Sequence, residues 1–186
     1  MTSTQRVRWT IADLELFPED GKRYEIIDGG LIVTRAPHWR HQEVSGNIYA
    51  ALQAWSRRTG LGRSAIAPGI IFSTTDSVIP DVVWVSNQRL ETDLDESGHL
   101  TAAPELVVEV LSKSKQDRRR DLELKLKLYS TQGVREYWIC DYQKAEVKVY
   151  RRDQAMLNLV TTLLVQDTLT SPLLPEFSCP VAQFFE

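Results

Sequence analysis

Apolar residues recur along this chain with two different periods. Between Trp39 and Thr59, His41, Val44, Ile48, Leu52 and Trp55 follow one another at three- and four-residue steps, which predicts an amphipathic helix with Gly60 as its stop. Ahead of it, Thr10-Ile11-Ala12-Asp13 has the form of a capped helix start, closed by Pro18. Arg23–Ile27 and residues 31–34 flank Asp28-Gly29-Gly30 and predict a β-hairpin in which Glu25 shares a strand face with Ile27. Residues 64–72 and 78–85, joined by a polar turn through 73–76, are rich in β-branched and apolar residues and predict a strand pair.

The polar, acidic stretch 87–103 predicts a surface loop or short helix, and the nearly continuous apolar run 105–111 a strand covered on both faces. A helix is expected over 117–131, with Gln132-Gly133 as its stop. Residues 135–140 and 146–150 then form a hairpin around Asp141-Tyr-Gln-Lys, followed by a strand at 156–165. Pro172, Pro175 and Pro180 mark a mostly extended C-terminus before a short segment at 181–185. From Trp39 to Cys140 the order is helix, strand, strand, strand, helix, strand, which predicts an α/β fold with a mixed sheet flanked by helices.

Length and composition narrow this picture. The 186 residues, 42% hydrophobic, suit one well-buried domain over 1–186 with its core at about 38–141. Lys and Arg number 22 against 25 Asp and Glu, so the net charge of -3 excludes a whole-chain basic signature, and any polyanion must meet a local patch. Cys140 and Cys179 lack clustered spacing, which argues against a disulfide framework or a zinc ladder and fits a reducing, cytoplasmic setting. His38 and His41 stand at a helix start with no third ligand at metal spacing, so His41 is expected to pack, cap or border a cleft. No segment resembles a signal peptide or a bilayer span, so a soluble protein without a membrane partner is expected.

Three charges interrupt the apolar runs. Asp81 opens Val82-Val83-Trp84-Val85, Glu109 sits inside Leu106-Val107-Val108-Glu109-Val110-Leu111, and Lys125 lies in Leu122-Glu123-Leu124-Lys125-Leu126. At about 100° per residue Lys125 falls within the arc of Leu122, Leu124, Leu126, Leu128 and Tyr129, while Arg119, Arg120, Glu123 and Lys127 fall on the solvent side. Period two sets Val107, Glu109 and Leu111 on one strand face and Leu106, Val108 and Val110 on the other. Each charge alone has a plain structural reading: Lys125 snorkels or pairs with Asp121, Glu109 makes a buried salt bridge, and Pro80-Asp81 is turn chemistry. If they converge, hard carboxylate oxygens suit Mg²⁺ and an ammonium suits a phosphate oxygen or a water.

Pro80-Asp81, Glu109 in an apolar strand and Lys125 on the next helix resemble the active-site order of the PD-(D/E)XK nuclease superfamily. More narrowly, Tyr24-Glu25-Ile-Ile-Asp28-Gly29, Pro80-Asp81-Val-Val, Pro104-Glu-Leu-Val-Val-Glu109-Val-Leu-Ser112, Asp121-x3-Lys125-x3-Tyr129 and Gly133-Val134-Arg-Glu136-Tyr137-Trp138 resemble the putative restriction endonuclease family abundant in cyanobacteria. The resemblance runs from about Trp9 to Tyr150. It implies a restriction-endonuclease-like core (αβββαβ) with an added N-terminal hairpin and C-terminal strands.

The activity it implies is Mg²⁺- or Mn²⁺-dependent hydrolysis of DNA phosphodiester bonds, with Asp81 and Glu109 as metal ligands and Lys125 orienting water or stabilising developing charge. Glu25 joins them as a further ligand or acid, a cross-strand ion pair being its alternative. The superfamily's lysine usually lies two residues after the strand carboxylate, where this chain has Leu111; Lys113 and Tyr142 stand where the family commonly has proline. The basic run carrying Lys113, Lys115, Arg118 and Arg119 suits contacts to a phosphate backbone, with a solvated helix start as the alternative. A homodimer would serve two strands of a duplex, and no organic cofactor is implied. The rivals are a catalytically silent nucleic-acid-binding module on the same scaffold, and a structural protein whose buried charges merely pair.

Overall fold

The computed structural model describes residues 7–114 and 118–186. Its centre is a six-stranded sheet in the order β10-β9-β8-β7-β6-β3. These strands are β3 (Gly62–Ile66), β6 (Val82–Ser86), β7 (Leu106–Val110), β8 (Glu136–Asp141), β9 (Glu146–Asp153) and β10 (Met156–Leu164). Only β7 and β8 pair in parallel, because a helix crosses over between them; the other neighbours run antiparallel.

All five residues of β7 are buried. Its alternation sorts them between two cores as period two requires: Leu106, Val108 and Val110 pack with the long helix α2 (Trp39–Thr59). Val107 and Leu111 pack instead with Leu128, Tyr129, Tyr137 and Ile139 on the opposite face. The α2 stripe Val44, Ile48, Leu52 and Trp55 is buried throughout, and Gly60 ends the helix in the left-handed region at φ 68°. Gly62 packs where β3 meets Trp84 on β6.

A second sheet, in the order β2-β1-β5-β4, stands beside the first. It is built from β1 (Arg23–Ile27), β2 (Gly30–Thr34), β4 (Ile70–Ser73) and β5 (Asp76–Val78), with the short α1 (Ile11–Leu14) capped reciprocally by Thr10 and Asp13. Here the expected strand pair is corrected. Residues 64–72 divide into β3 and β4, and 78–85 into β5 and β6, so each run serves both sheets. The breaks carry Pro68 and Pro80, which have no N–H for a ladder, and Ala67 turns at φ 49°. Asp81 therefore lies at the crossing from one sheet to the other.

After β6 comes α3 (Asn87–Asp93). The helix following β7 departs from plain α geometry: Arg120–Lys125 is π-wound and continues as α4 (Leu126–Gln132). The C-terminus is more ordered than its prolines suggest, forming a hairpin of β11 (Thr168–Ser171) and β12 (Leu174–Pro180) followed by α5 (Ala182–Phe185). Trp55 donates to the Pro175 carbonyl at 2.9 Å and ties this hairpin to α2. No helix among the described residues is long and apolar enough to cross a membrane.

Candidate active site

Four elements bring Glu25, Asp81, Glu109 and Lys125 to one wall of a cavity of about 700 Å³, with each residue no more than 4% exposed. β1 delivers Glu25 and β7 delivers Glu109; Asp81 immediately precedes β6, and Lys125 closes the π-wound turn. The Lys125 ammonium is 2.8 Å from Glu109 Oε1 and 3.0 Å from Glu25 Oε1. Tyr129, one turn further along, donates to Glu109 Oε1 at 2.9 Å. Glu25 also accepts the Ile79 N–H at 2.8 Å, which locks the hairpin onto the segment leading to Asp81. Glu25 is thus paired with a distant lysine, since Ile32 stands across from it on β2.

Asp81 is held from three sides. Its Oδ2 accepts the Val110 N–H at 2.8 Å and lies 3.2 Å from His41 Nε2, while Oδ1 meets Arg23 at 3.1 Å. Asp121, a buried residue of the π turn, pairs with Arg120 at 3.0 Å. Four carboxylates (Glu25, Asp81, Glu109, Asp121) therefore share the cavity wall with the cations of Arg23, Arg120 and Lys125, and with Arg35 and Lys113 at its rim.

The ionisation of the site follows from this balance. Burial, joined by the charges of Asp81, Asp121 and Glu25, outweighs Lys125 and pushes the Glu109 carboxyl up to about 8. Asp121 is raised for the same first reason, burial, against the pull of Lys125 and Arg120. For Asp81 burial is overcome by His41, the Val110 N–H and Lys125, which hold it down at about 2. Burial also works against charge on Lys125 and on His41. Carboxylates outweigh it in both, Glu109 foremost for Lys125 and Asp81 for His41, and both groups are raised.

The donor set fits a divalent cation. Carboxylates supply hard oxygens, and among the described residues both hydrogen bonds to the Glu109 carboxylate fall on Oε1, leaving Oε2 to another ligand. His41 adds a buried imidazole whose Nδ1 has no hydrogen-bond partner among the described residues. No three His, Cys, Asp or Glu side chains among the described residues stand together as a ligand set; Lys125 and Tyr129 bond Glu109, and Arg23 takes one oxygen of Asp81.

The expected backbone-contacting residues are more dispersed. Lys113 is exposed at the cavity rim with Arg35 and His38. Arg118 is bound to Asp141 at 2.5 Å, and Arg119 pairs on the surface with Glu123 at 2.9 Å. Lys115 lies outside the described residues. Sequence patterning had set Arg120 on the solvent side; π-winding instead turns it inward onto Asp121, and its side chain is only 13% exposed. Arg23 escaped notice although period two puts it on the Glu25 face of β1. His41 carried a signal, a polar residue within the apolar stripe of α2.

A mixed sheet with carboxylates on neighbouring segments and a lysine reaching in from the following helix defines a restriction-endonuclease-like fold. The crystal structure of a putative nuclease belonging to DUF820 from Anabaena variabilis has this architecture: its TM-score is 0.75 at 18% identity, over 95% of this chain and 97% of that one. The chain belongs to the Uma2 family, described as "Putative restriction endonuclease", whose family model matches residues 11–182. A lesser likeness, TM-score 0.45 at 16% identity, covers 80% of this chain and 16% of the type IIG restriction endonuclease BpuSI. No curated protein sequence matches.

Proposed function

We propose that this protein is an endonuclease that hydrolyses DNA phosphodiester bonds with the help of Mg²⁺ or Mn²⁺. The observation that carries the reading is the convergence of Asp81 and Glu109 with the Lys125 ammonium, 2.8 Å from Glu109, in one cavity. Family membership supports it. Asp81 and Glu109 would hold the ion, with Glu25 beside them. When bound, such an ion polarises the scissile phosphate and lowers the pKa of a coordinated water.

The chain's own residues supply the rest. Lys125, rigidly placed by two carboxylates, offers a cation to the charge that develops on the phosphate or orients the attacking water. Tyr129, one turn on from Lys125, bonds the same Glu109 oxygen. Arg35 and Lys113 at the cavity rim give a locally positive approach for a phosphate backbone, which the net charge of -3 does not. One such site cuts one strand, so cutting a duplex calls for a homodimer. Two free, buried cysteines suit a reducing cytoplasm.

The test is cleavage of supercoiled plasmid, linear duplex and single-stranded DNA with Mg²⁺, Mn²⁺ or chelator, comparing the parent with Lys125→Ala. Metal-dependent nicking that is lost in the variant is expected. A protein that binds Mn²⁺ and DNA yet cuts none of these substrates would instead be a binding module on the nuclease scaffold.

A further inference from the structure

We infer that His41 is a third ligand of the cation site, making it a carboxylate–imidazole site that selects a first-row transition ion such as Mn²⁺ over Mg²⁺ and Ca²⁺. The inference rests on the endonuclease reading only in taking Asp81 as a cation ligand.

The ring stands beside Asp81. His41 Nε2 lies 3.2 Å from Asp81 Oδ2, and both residues line the same cavity as Glu109. Adjacent ligands of a six-coordinate ion, each about 2.1 Å from it, stand about 3 Å apart, so the pair spans such an edge to within a few tenths of an ångström. The ring's place is set by the backbone, because His41 sits in the first turn of α2. There its N–H donates to the His38 carbonyl at 2.9 Å and its own carbonyl accepts from the Ser45 hydroxyl at 2.9 Å.

The bond to Asp81 engages only one of the ring's two nitrogens. Asp81 has both carboxylate oxygens served without it, Oδ2 by the Val110 N–H at 2.8 Å and Oδ1 by Arg23 at 3.1 Å. His41 is 7% exposed, and its Nδ1 has no hydrogen-bond partner among the described residues, although buried polar atoms are as a rule bonded. The uncommitted Nδ1 can carry the proton that Nε2 gives up when it turns its lone pair to a metal. Mg²⁺ and Ca²⁺ bind through oxygen and gain little from an imidazole, whereas transition ions gain more. Selection for Mn²⁺ follows from the nitrogen.

The test is calorimetric titration of the purified chain with Mn²⁺ and, separately, Mg²⁺, together with pulsed electron paramagnetic resonance of bound Mn²⁺. The parent is expected to bind Mn²⁺ about tenfold or more tightly than Mg²⁺ and to show hyperfine coupling to a nitrogen. His41→Gln and His41→Ala should lose that coupling and about tenfold or more in Mn²⁺ affinity, with Mg²⁺ affinity nearly unchanged. Thermal melting checks that the variants fold; should both unfold, the nitrogen coupling of the parent decides alone. Absence of that coupling, or unchanged Mn²⁺ affinity in a folded variant, overturns the inference. Parent-like Mn²⁺ binding by Asp81→Asn would overturn the cation reading itself.

Discussion

Lys125 Nζ stands 2.8 Å from Glu109 Oε1, and the pair joins the π-wound turn to the central strand across 16 residues of chain. Because Glu25 shares the same ammonium at 3.0 Å, one cation holds together β1, β7 and the helix that follows β7. Its replacement should therefore be felt in stability as well as in cleavage.

Lys125→Met takes from Glu25 and Glu109 the ammonium that they share. Removing one partner of a buried pair costs about 3–5 kcal/mol. Urea denaturation at about pH 8 should show a loss of this order, and the loss should shrink at about pH 5, where the Glu109 carboxyl holds its proton. An unchanged midpoint at both pH values would mean that the pair contributes nothing to the fold.

The metal-free protein should lose stability as pH rises from mildly acidic to mildly basic. Glu109 is held up to about 8 against an ordinary 4.5, so between those limits the folded chain keeps a proton that the unfolded chain has released. Its contribution is full below 4.5 and gone above about 8. His41, raised above its ordinary 6.5, acts in the same direction: its contribution is present below 6.5 and lost as pH rises through the folded value. Asp81 runs the other way, since at about 2 against 3.8 it contributes above 3.8 and loses that as pH falls through 2. The urea midpoint in chelator should peak between these limbs. Added Mn²⁺ should raise it more at the basic end, where Glu109 is already ionised.

Arg23→Gln should free Asp81 Oδ1, which Arg23 occupies at 3.1 Å. An arginine there competes with any cation for the same oxygen, so calorimetry should show tighter Mg²⁺ and Mn²⁺ binding, by roughly 1 kcal/mol for a part-exposed pair. Weaker binding in the variant would count Arg23 as a support of the site.

Gly62→Ala tests the packing of the main sheet's edge strand. A Cβ there would meet the Val85 carbonyl oxygen and stand 2.6 Å from the Trp84 ring. Overpacking of this kind costs about 1–3 kcal/mol. Thermal denaturation should show it, while cleavage at permissive temperature stays intact because Gly62 pairs with Ser86, at the opposite end of β6 from Asp81.

Much of the frame was legible from periodicity. Recurrence at three and four residues located α2 to its termini, and alternation in β7 sorted Glu109 from Val108 and Val110 before any partner was known. The interruption of apolar runs singled out Asp81, Glu109 and Lys125, all of which are buried. The division of two expected strands between two sheets was not legible, because β3 and β4, like β5 and β6, are all β-prone; only their hydrogen-bonded neighbours distinguish them.

The sequence by itself determined which side of each element is buried and which charges must find partners there. This is local information, carried by side-chain alternation and helical period. Only the tertiary structure decided which partners they find: Glu25 with Lys125, Ile79 with Glu25 across 54 residues, His41 with Asp81, and Arg120 turned inward by π-winding. Those meetings depend on sheet register and on how one helix is wound. Both are settled by packing summed over the whole domain, and neither is written in any single window of residues.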